Sequence, residues 1–201
     1  MNTNYQKELD KLLAKVSAKQ SAKRLLLHSC CAPCSSYVLE YLSQYFEITI
    51  FYYNPNIYPD TEYFKRVDEQ QSLIDRMYPE NPISFIAGRY DRNEFLEIAK
   101  GLEDVPEGGE RCFQCYELRM REAAREAVKG GYDYFTTTLS ISPMKNAAKI
   151  NEIGEQVGDE YGVSHLPSDF KKRSGYKRSI ELSREYRLYR QDYCGCEFSI
   201  R

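Results

Sequence analysis

Apolar residues recur along this chain at two spacings, one typical of helices and the other of buried strands. Leu9, Leu12, Leu13 and Val16 share one face at the helical spacing and predict a helix over residues 5–20. Short apolar runs bounded by turn residues predict five strands, over residues 24–28, 48–53, 83–87 and 134–139 and near 163–166. Further helices are predicted over residues 35–45, 60–77, 91–100 and 111–129, the last ending at Gly130 and Gly131.

This alternation of strands and helices predicts an α/β fold with a mostly parallel, Rossmann-like sheet flanked by helices. The length of 201 residues predicts one α/β domain over residues 1–201, with an N-terminal helix, a basic C-terminal segment and a C-terminal extension that contains cysteines. Ligand sites in such sheets collect beyond the carboxyl ends of the strands. Cys30 and Cys31, Asn54, Gly88 to Asp91 and Ser140 to Pro143 are expected there.

The composition places the chain among cytoplasmic proteins. No apolar run approaches the roughly 18 residues that span a bilayer, and residues 1–19 are mostly polar. We therefore expect a cytoplasmic location and no membrane contact. Because thiols stay reduced in that compartment, clustered cysteines there indicate metal ligands or a cycling redox pair rather than permanent disulfides.

The net charge of −2 conceals a strongly basic segment, residues 171–190, with eight basic residues against two acidic ones. Tyrosines interleave with these cations, a composition that suits contact with a phosphate backbone and unpaired bases. A solvated helix face explains the charge equally well. If the segment binds RNA, the cations expected at phosphates are Lys171, Lys172, Arg173, Lys177 and Arg178.

Seven cysteines fall into three tight clusters, which is the feature that most restricts the function. They are Cys30, Cys31 and Cys34, then Cys112 and Cys115, then Cys194 and Cys196. A turn at Ala32 and Pro33 would let the first cluster converge, and the CxxC pair lies at the predicted start of a helix. Two thiolates from each of two loops supply the four sulfurs of a tetrahedral zinc or an iron–sulfur cluster, and the spacing does not separate these two.

The pair Cys194-Gly195-Cys196 differs from the other clusters in its spacing. One intervening residue permits a strained disulfide that is easily reduced, and such a bond can store two electrons. A further pair of metal ligands is the alternative. Neither histidine indicates catalysis, because His28 and His165 both fall in apolar strand segments. The common phosphate-binding glycine loops do not occur in the sequence.

Seven stretches of the sequence form a distinctive set of motifs. They are Leu27 to Cys34 (LHSCCAPC), Tyr52 to Ile57 (YYNPNI), Gly109 to Tyr116 (GERCFQCY), Thr137 to Lys145 (TTLSISPMK), Phe170 to Ser179 (FKKRSGYKRS), Glu181 to Ser183 (ELS) and Leu188 to Cys196 (LYRQDYCGC). Together these stretches resemble the QueH family of epoxyqueuosine reductases. The resemblance extends from about residue 25 to residue 196.

The resemblance implies an oxidoreductase that reduces epoxyqueuosine to queuosine at the wobble position of tRNA without cobalamin, using an unidentified electron donor. It implies a fold similar to that of the PP-loop (HUP-like) ATPases. A [4Fe–4S] cluster would be held by Cys30, Cys31, Cys112 and Cys115, and Cys194 and Cys196 would form a redox-active, catalytic pair. An additional iron is also associated with the family. Cys34, Asp91 or a C-terminal cysteine could be its ligand.

Two alternative functions follow from the same residues. The first is a zinc-stapled module that binds tRNA through the basic segment. The second is a PP-loop-type tRNA-modifying enzyme that uses ATP, although Ser29 to Ser35 stands where that class has a glycine-rich phosphate loop. Tyr53, Asp91, Tyr176 and Tyr193 are candidate proton donors for a reductase.

Overall fold

The computed structural model of this chain describes residues 3–17 and 23–200. Five strands are present in this part: β1 (Lys23–His28), β2 (Phe46–Tyr52), β3 (Ile83–Ala87), β4 (Tyr134–Thr137) and β5 (Ser164–His165). Seven α-helices accompany them: α1 (Tyr5–Ser17), α2 (Ala32–Leu42), α3 (Asp60–Arg76), α4 (Arg92–Ala99), α5 (Glu110–Gly130), α6 (Ala147–Tyr161) and α7 (Gly175–Glu185). Residues 18–20 of the predicted first helix lie outside the described residues.

The strands form a single sheet in the order β3-β2-β1-β4-β5, and all neighbours are parallel. Leu25 of β1 pairs with Ile48 of β2 on one side and with Tyr134 of β4 on the other. This order is that of a doubly wound Rossmann-like sheet, so the predicted α/β class is confirmed.

Alternate residues of β1 enter two separate cores. Leu25 and Leu27 pack among α1, α2 and α3 on one face of the sheet, whereas Leu26 packs against α5 and α6 on the other. Successive strand side chains point to opposite faces, so an unbroken apolar run fits a strand that is covered on both sides.

After β1 the chain adds strands on one side, β2 and then β3, whereas β4 and β5 lie on the other side of β1. The direction in which strands are added therefore changes between β1 and β4. A crevice opens at such a reversal, beyond the carboxyl ends of the strands. Cys30 and Cys31 follow β1 at this point, and a 3-10 helix over Thr138–Ile141 follows β4. The predicted strand over 134–139 is therefore two residues too long.

Helices α6 and α7 were not among the sequence predictions. The buried face of α7 contains Gly175, Ser179, Leu182 and Ser183, so its pattern carries little apolar signal. Helix α5 ends as predicted, with Gly131 in the left-handed conformation (φ 65°) that glycine adopts freely. Among the described helices, none is long and apolar enough to cross a membrane.

Candidate metal and redox centre

Cys30, Cys31 and Cys34 form one compact group of thiols at the carboxyl end of β1. Their sulfur atoms all lie within 4.8 Å of one another, and the Cys30 and Cys31 sulfurs are 3.8 Å apart. The expected turn at Ala32 and Pro33 is the first turn of α2, which begins three residues earlier than predicted. Proline is well tolerated there because its missing N–H has no helical partner. Cys34 therefore points back towards the other two sulfurs.

Hydrogen bonds to two neighbouring segments hold this loop in place. The hydroxyls of Ser29 and Ser35 both donate to Oε1 of the buried Gln70, each at 2.8 Å. The Cys30 amide donates to Oγ1 of Thr138 at 3.3 Å, which ties the β1 loop to the end of β4. The position of the thiols is thus set by α3 and β4 as well as by their own loop.

The three thiols also determine one another's protonation. Contacts from the thiols of Cys31 and Cys34 lower the pKa of Cys30 well below its ordinary value. The same contact with Cys30 raises the pKa of Cys31 to about 12, and contacts with both neighbours raise that of Cys34. One thiolate shared among three close sulfurs is the arrangement expected of ligands waiting for a cation.

Cys112 and Cys115 lie in the first two turns of α5, as predicted. The Gly108 amide donates to the Cys112 sulfur at 3.2 Å, and Cys115 is buried. Arg111, directly before Cys112, fixes the preceding loop, because its Nη1 donates to the carbonyls of Leu102 and Glu103 at 2.9 and 2.7 Å. These contacts fix the start of α5 and with it the positions of the two sulfurs.

The C-terminal extension delivers Cys194 and Cys196 to the same region. Gly195 lies between them with φ at +103°, and its carbonyl accepts from the Tyr58 amide at 2.8 Å. A Cβ at Gly195 would come within 3.0 Å of Arg66 and Ile57. A side chain at this position would therefore be both strained and crowded, so glycine is required between the two cysteines.

All seven cysteines are free thiols, and all except Cys31 line one or both of two adjoining cavities at the crevice. The larger cavity has a volume of about 640 Å³ and includes Cys30, Cys34 and Cys194 in its wall. The smaller one is lined by Cys112, Cys115, Cys194 and Cys196. Cys194, Arg119 and Lys145 line both cavities and form the wall between them.

Two cations without an acidic partner stand in this shared wall. Arg119 is 1% exposed, and neither Arg119 nor Lys145 forms an ion pair with a carboxylate among the described residues. Burial alone would lower the pKa of Arg119, but the thiols of Cys115, Cys194 and Cys30 raise it above its ordinary value. An unpaired buried guanidinium is costly, so the site requires negative charge from its sulfurs.

Several predicted site residues lie elsewhere. Asp91 caps α4 by accepting from the Asn93 amide and lines neither cavity. Tyr53 donates to Glu94 and is also absent from both cavity walls. Tyr176 and Tyr193 do line the larger cavity. His28 is fully buried, with Nδ1 at 2.8 Å from Thr137 Oγ1, and therefore belongs to the core as expected.

The cations of the basic segment differ in whether they form ion pairs within the protein. Lys171 pairs with Asp169 at 2.6 Å, Arg173 pairs with Asp10, and Arg178 pairs with Glu40. These three cations are engaged within the protein. Lys172 forms no ion pair in the described part of the chain, and the exposed Lys177 has its nearest carboxylate, that of Glu181, at 4.0 Å.

Arg119 and Lys145 are the site residues that sequence reasoning missed. Arg119 lies one helical turn after Cys115, on the same face of α5, and Lys145 follows the end of β4 where ligand sites were expected. Both signals were therefore present in the sequence. Basic residues are common on helices and loops, however, and only the fold shows which of them face the thiols.

The fold and site define a class: an α/β protein with a cluster of thiols and cations at the carboxyl edge of a parallel sheet. Comparison with known proteins makes the assignment specific. The family model for epoxyqueuosine reductase QueH matches residues 25–201, and the chain belongs to this family of oxidoreductases.

Curated relatives extend the similarity over nearly the whole chain. The chain is similar to the epoxyqueuosine reductase QueH of Staphylococcus epidermidis, with 44% identity over 98% of this chain and 84% of that protein. The corresponding protein of Streptococcus pyogenes is 42% identical over 100% of this chain and 81% of its own length. That of Thermotoga maritima is 35% identical over 88% of this chain and 90% of its own.

Proposed function

We propose that this protein reduces epoxyqueuosine to queuosine in tRNA, by an iron–sulfur-dependent and cobalamin-independent reaction. Family membership supports the reaction, and the observation that carries the proposal is the cavity of about 640 Å³ with Cys30, Cys34 and Cys194 in its wall. Its volume lies within the range of pockets that enclose a small molecule or a nucleotide. A flipped-out wobble nucleotide could therefore reach the thiols.

The residues around the crevice fit an anionic, sulfur-ligated group. Cys30, Cys31, Cys112 and Cys115 are proposed to hold a [4Fe–4S] cluster, which when bound would supply single electrons to the reaction. Arg119 and Lys145 favour this charge, because neither has a carboxylate partner among the described residues. Of the candidates for an additional iron, Cys34 lies beside Cys30 and Cys31, whereas Asp91 caps α4.

The protein's own side chains are proposed to position the substrate and to assist the departure of its oxygen. Arg119 and Lys145 place positive charge on the cavity wall, where it would stabilise the negative charge that develops on an opening epoxide. Tyr176 and Tyr193 bring hydroxyl groups into the same cavity and are the proposed proton donors. The Tyr193 hydroxyl is held in place by its 2.8 Å hydrogen bond to the Tyr58 carbonyl.

Cys194 and Cys196 are proposed to supply the two electrons of each turnover. Converting the dithiol to a disulfide releases two electrons and two protons, and an epoxide that takes up both becomes an alkene and water. The free thiols found here are the reduced form of such a pair. An external dithiol protein would return the pair to this form by thiol–disulfide exchange.

The test is turnover by anaerobically purified protein with epoxyqueuosine tRNA and a chemical reductant. Nucleoside mass spectrometry should show queuosine, which lacks one oxygen atom, and metal analysis should find iron. A colourless protein loaded with zinc and unable to convert the substrate would instead support the tRNA-binding module. Tight ATP binding in a calorimetric titration would support the PP-loop alternative.

A further inference from the structure

The two thiols of the Cys194-Gly195-Cys196 segment lie in different surroundings. Cys194 is half-buried and lines the large cavity as well as the small one. Cys196 is 8% exposed and lines only the small cavity. A molecule that enters through the large cavity therefore meets the sulfur of Cys194, while that of Cys196 lies behind it.

A cation accompanies the sulfur at the cavity. The ammonium nitrogen of Lys145 lies 3.1 Å from Cys194 Sγ, and Lys145 forms no ion pair with a carboxylate in residues 3–17 and 23–200. Burial would raise the pKa of Cys194, but the charges of Lys145 and Arg119 outweigh this effect and lower it. A thiol held beside an ammonium group is more often a thiolate, and the thiolate is the nucleophile.

The sulfur of Cys196 is packed among apolar side chains instead. It belongs to a buried cluster with Phe95, Ala99 and Cys115, against which Phe198 also packs. A thiol buried in an apolar site is shielded from an external electrophile, but it can attack a neighbouring sulfur once that sulfur is in a disulfide.

We propose that the pair works in a fixed order, with Cys194 as the thiol that reacts with an incoming partner and Cys196 as the resolving thiol. Lys145 acts through Cys194 as its positioning residue. When a disulfide reagent oxidises the pair, the Cys194 thiolate attacks one of its sulfur atoms, so that its S–S bond breaks, a mixed disulfide forms and one thiolate leaves. Cys196 then attacks the Cys194 sulfur, loses its proton and releases the second thiolate. Reduction of the pair by the external dithiol protein follows the same two steps in reverse. This order rests on the proposed redox role of the pair.

The order can be tested without turnover, on the anaerobically purified holoprotein. We would add an equimolar aromatic disulfide, 4,4′-dithiodipyridine, and locate the modified thiols by peptide mass spectrometry. In Cys196→Ser, Cys194 should form a stable mixed disulfide, and in wild type it should proceed to the Cys194–Cys196 disulfide. In Cys194→Ser, Cys196 should react at least about tenfold more slowly than Cys194 does in Cys196→Ser. Equal rates, or faster reaction of Cys196, would overturn the proposal.

Lys145 is tested in the Cys196→Ser background. Lys145→Met should slow modification of Cys194 by about tenfold, and Lys145→Arg should restore most of the rate because it keeps the positive charge. Lys149→Met is the matched control, since Lys149 pairs with Glu152 on α6, and it should leave the rate unchanged. An unchanged rate in Lys145→Met would remove Lys145 from the proposal. The assay stays informative even if the protein fails to reduce epoxyqueuosine.

Discussion

Arg178 of α7 donates two hydrogen bonds to the carboxylate of Glu40 on α2 and so links the two helices. Nε lies 3.0 Å from Oε2, and Nη2 lies 2.6 Å from Oε1. Helix α2 carries Cys34 in its first turn, and α7 carries Tyr176 at the large cavity. The ion pair therefore fixes the position of one cavity wall relative to another. The charge of Arg178 thus stabilises the fold.

We predict that Arg178→Ala lowers the free energy of unfolding by about 1 kcal/mol, near the upper end for a partly exposed pair because the contact is bidentate. Urea denaturation would measure it. Glu40→Ala should have a similar effect, and the double variant should lose less than the sum of the two. If the loss in the double variant equals the sum of the two single losses, the ion pair does not couple the helices.

Lys172 and Lys177 are predicted to contact RNA phosphates. They flank Tyr176 at the cavity end of α7, and neither is firmly paired with a carboxylate. Changing either to Gln should weaken binding of a tRNA anticodon stem-loop and reduce the slope of log K against log salt by about 0.7 to 0.9. Arg187→Gln, two residues beyond the C-terminal end of α7, is the control and should leave the slope unchanged. If the Arg187 variant lowers the slope and the Lys172 and Lys177 variants do not, the RNA binds elsewhere.

Tyr176 is predicted to stack on a base next to the modified nucleotide. It is 37% exposed and lines the large cavity together with Met144 and Ile200, two further exposed apolar side chains. Tyr176→Ala should weaken stem-loop binding by about 1–3 kcal/mol, whereas Tyr176→Phe should bind normally if stacking is the contribution. Tyr78→Ala, on a 99% exposed tyrosine outside both cavities, is the control in fluorescence anisotropy. Normal binding by Tyr176→Ala would refute the stacking role.

Single Ser substitutions at Cys30, Cys31, Cys112 or Cys115 should sharply reduce iron content and visible absorption together, because the four sulfurs act as one coordination set. Metal analysis of anaerobically purified variants is the measurement. Cys34→Ser provides the comparison within the same loop and should keep the cluster. If Cys34→Ser loses the cluster and one of the four variants retains it, the proposed ligand set is wrong.

Cys194→Ser and Cys196→Ser should each keep the iron and the visible absorption but lose most conversion of epoxyqueuosine. Their sulfurs are proposed to exchange electrons rather than to bind the cluster. Queuosine formation and iron content should be measured on the same samples. Loss of iron would reassign these cysteines to a metal site, and full activity would leave them without a catalytic role.

The fold was largely predictable because its signals are local. The apolar runs of β1 and β3, and the glycine that ends α5, each depend on residues close together in the chain, and the structure reproduces them. The start of α2 was missed because Pro33 suggests a turn, whereas proline fits the first turn of a helix equally well. Helix α7 was missed because small residues such as Ser179 and Ser183 replace the expected apolar face.

The sequence by itself determined the parallel sheet, the clustering of the cysteines and their place at the ends of strands and helices, since these follow from spacing within short segments. Only the tertiary structure decided which groups face one another. It places Lys145 beside Cys194, pairs Arg178 with Glu40 and buries Cys196. Such contacts join segments far apart in the chain, and their energies depend on burial and distance, which no local pattern encodes.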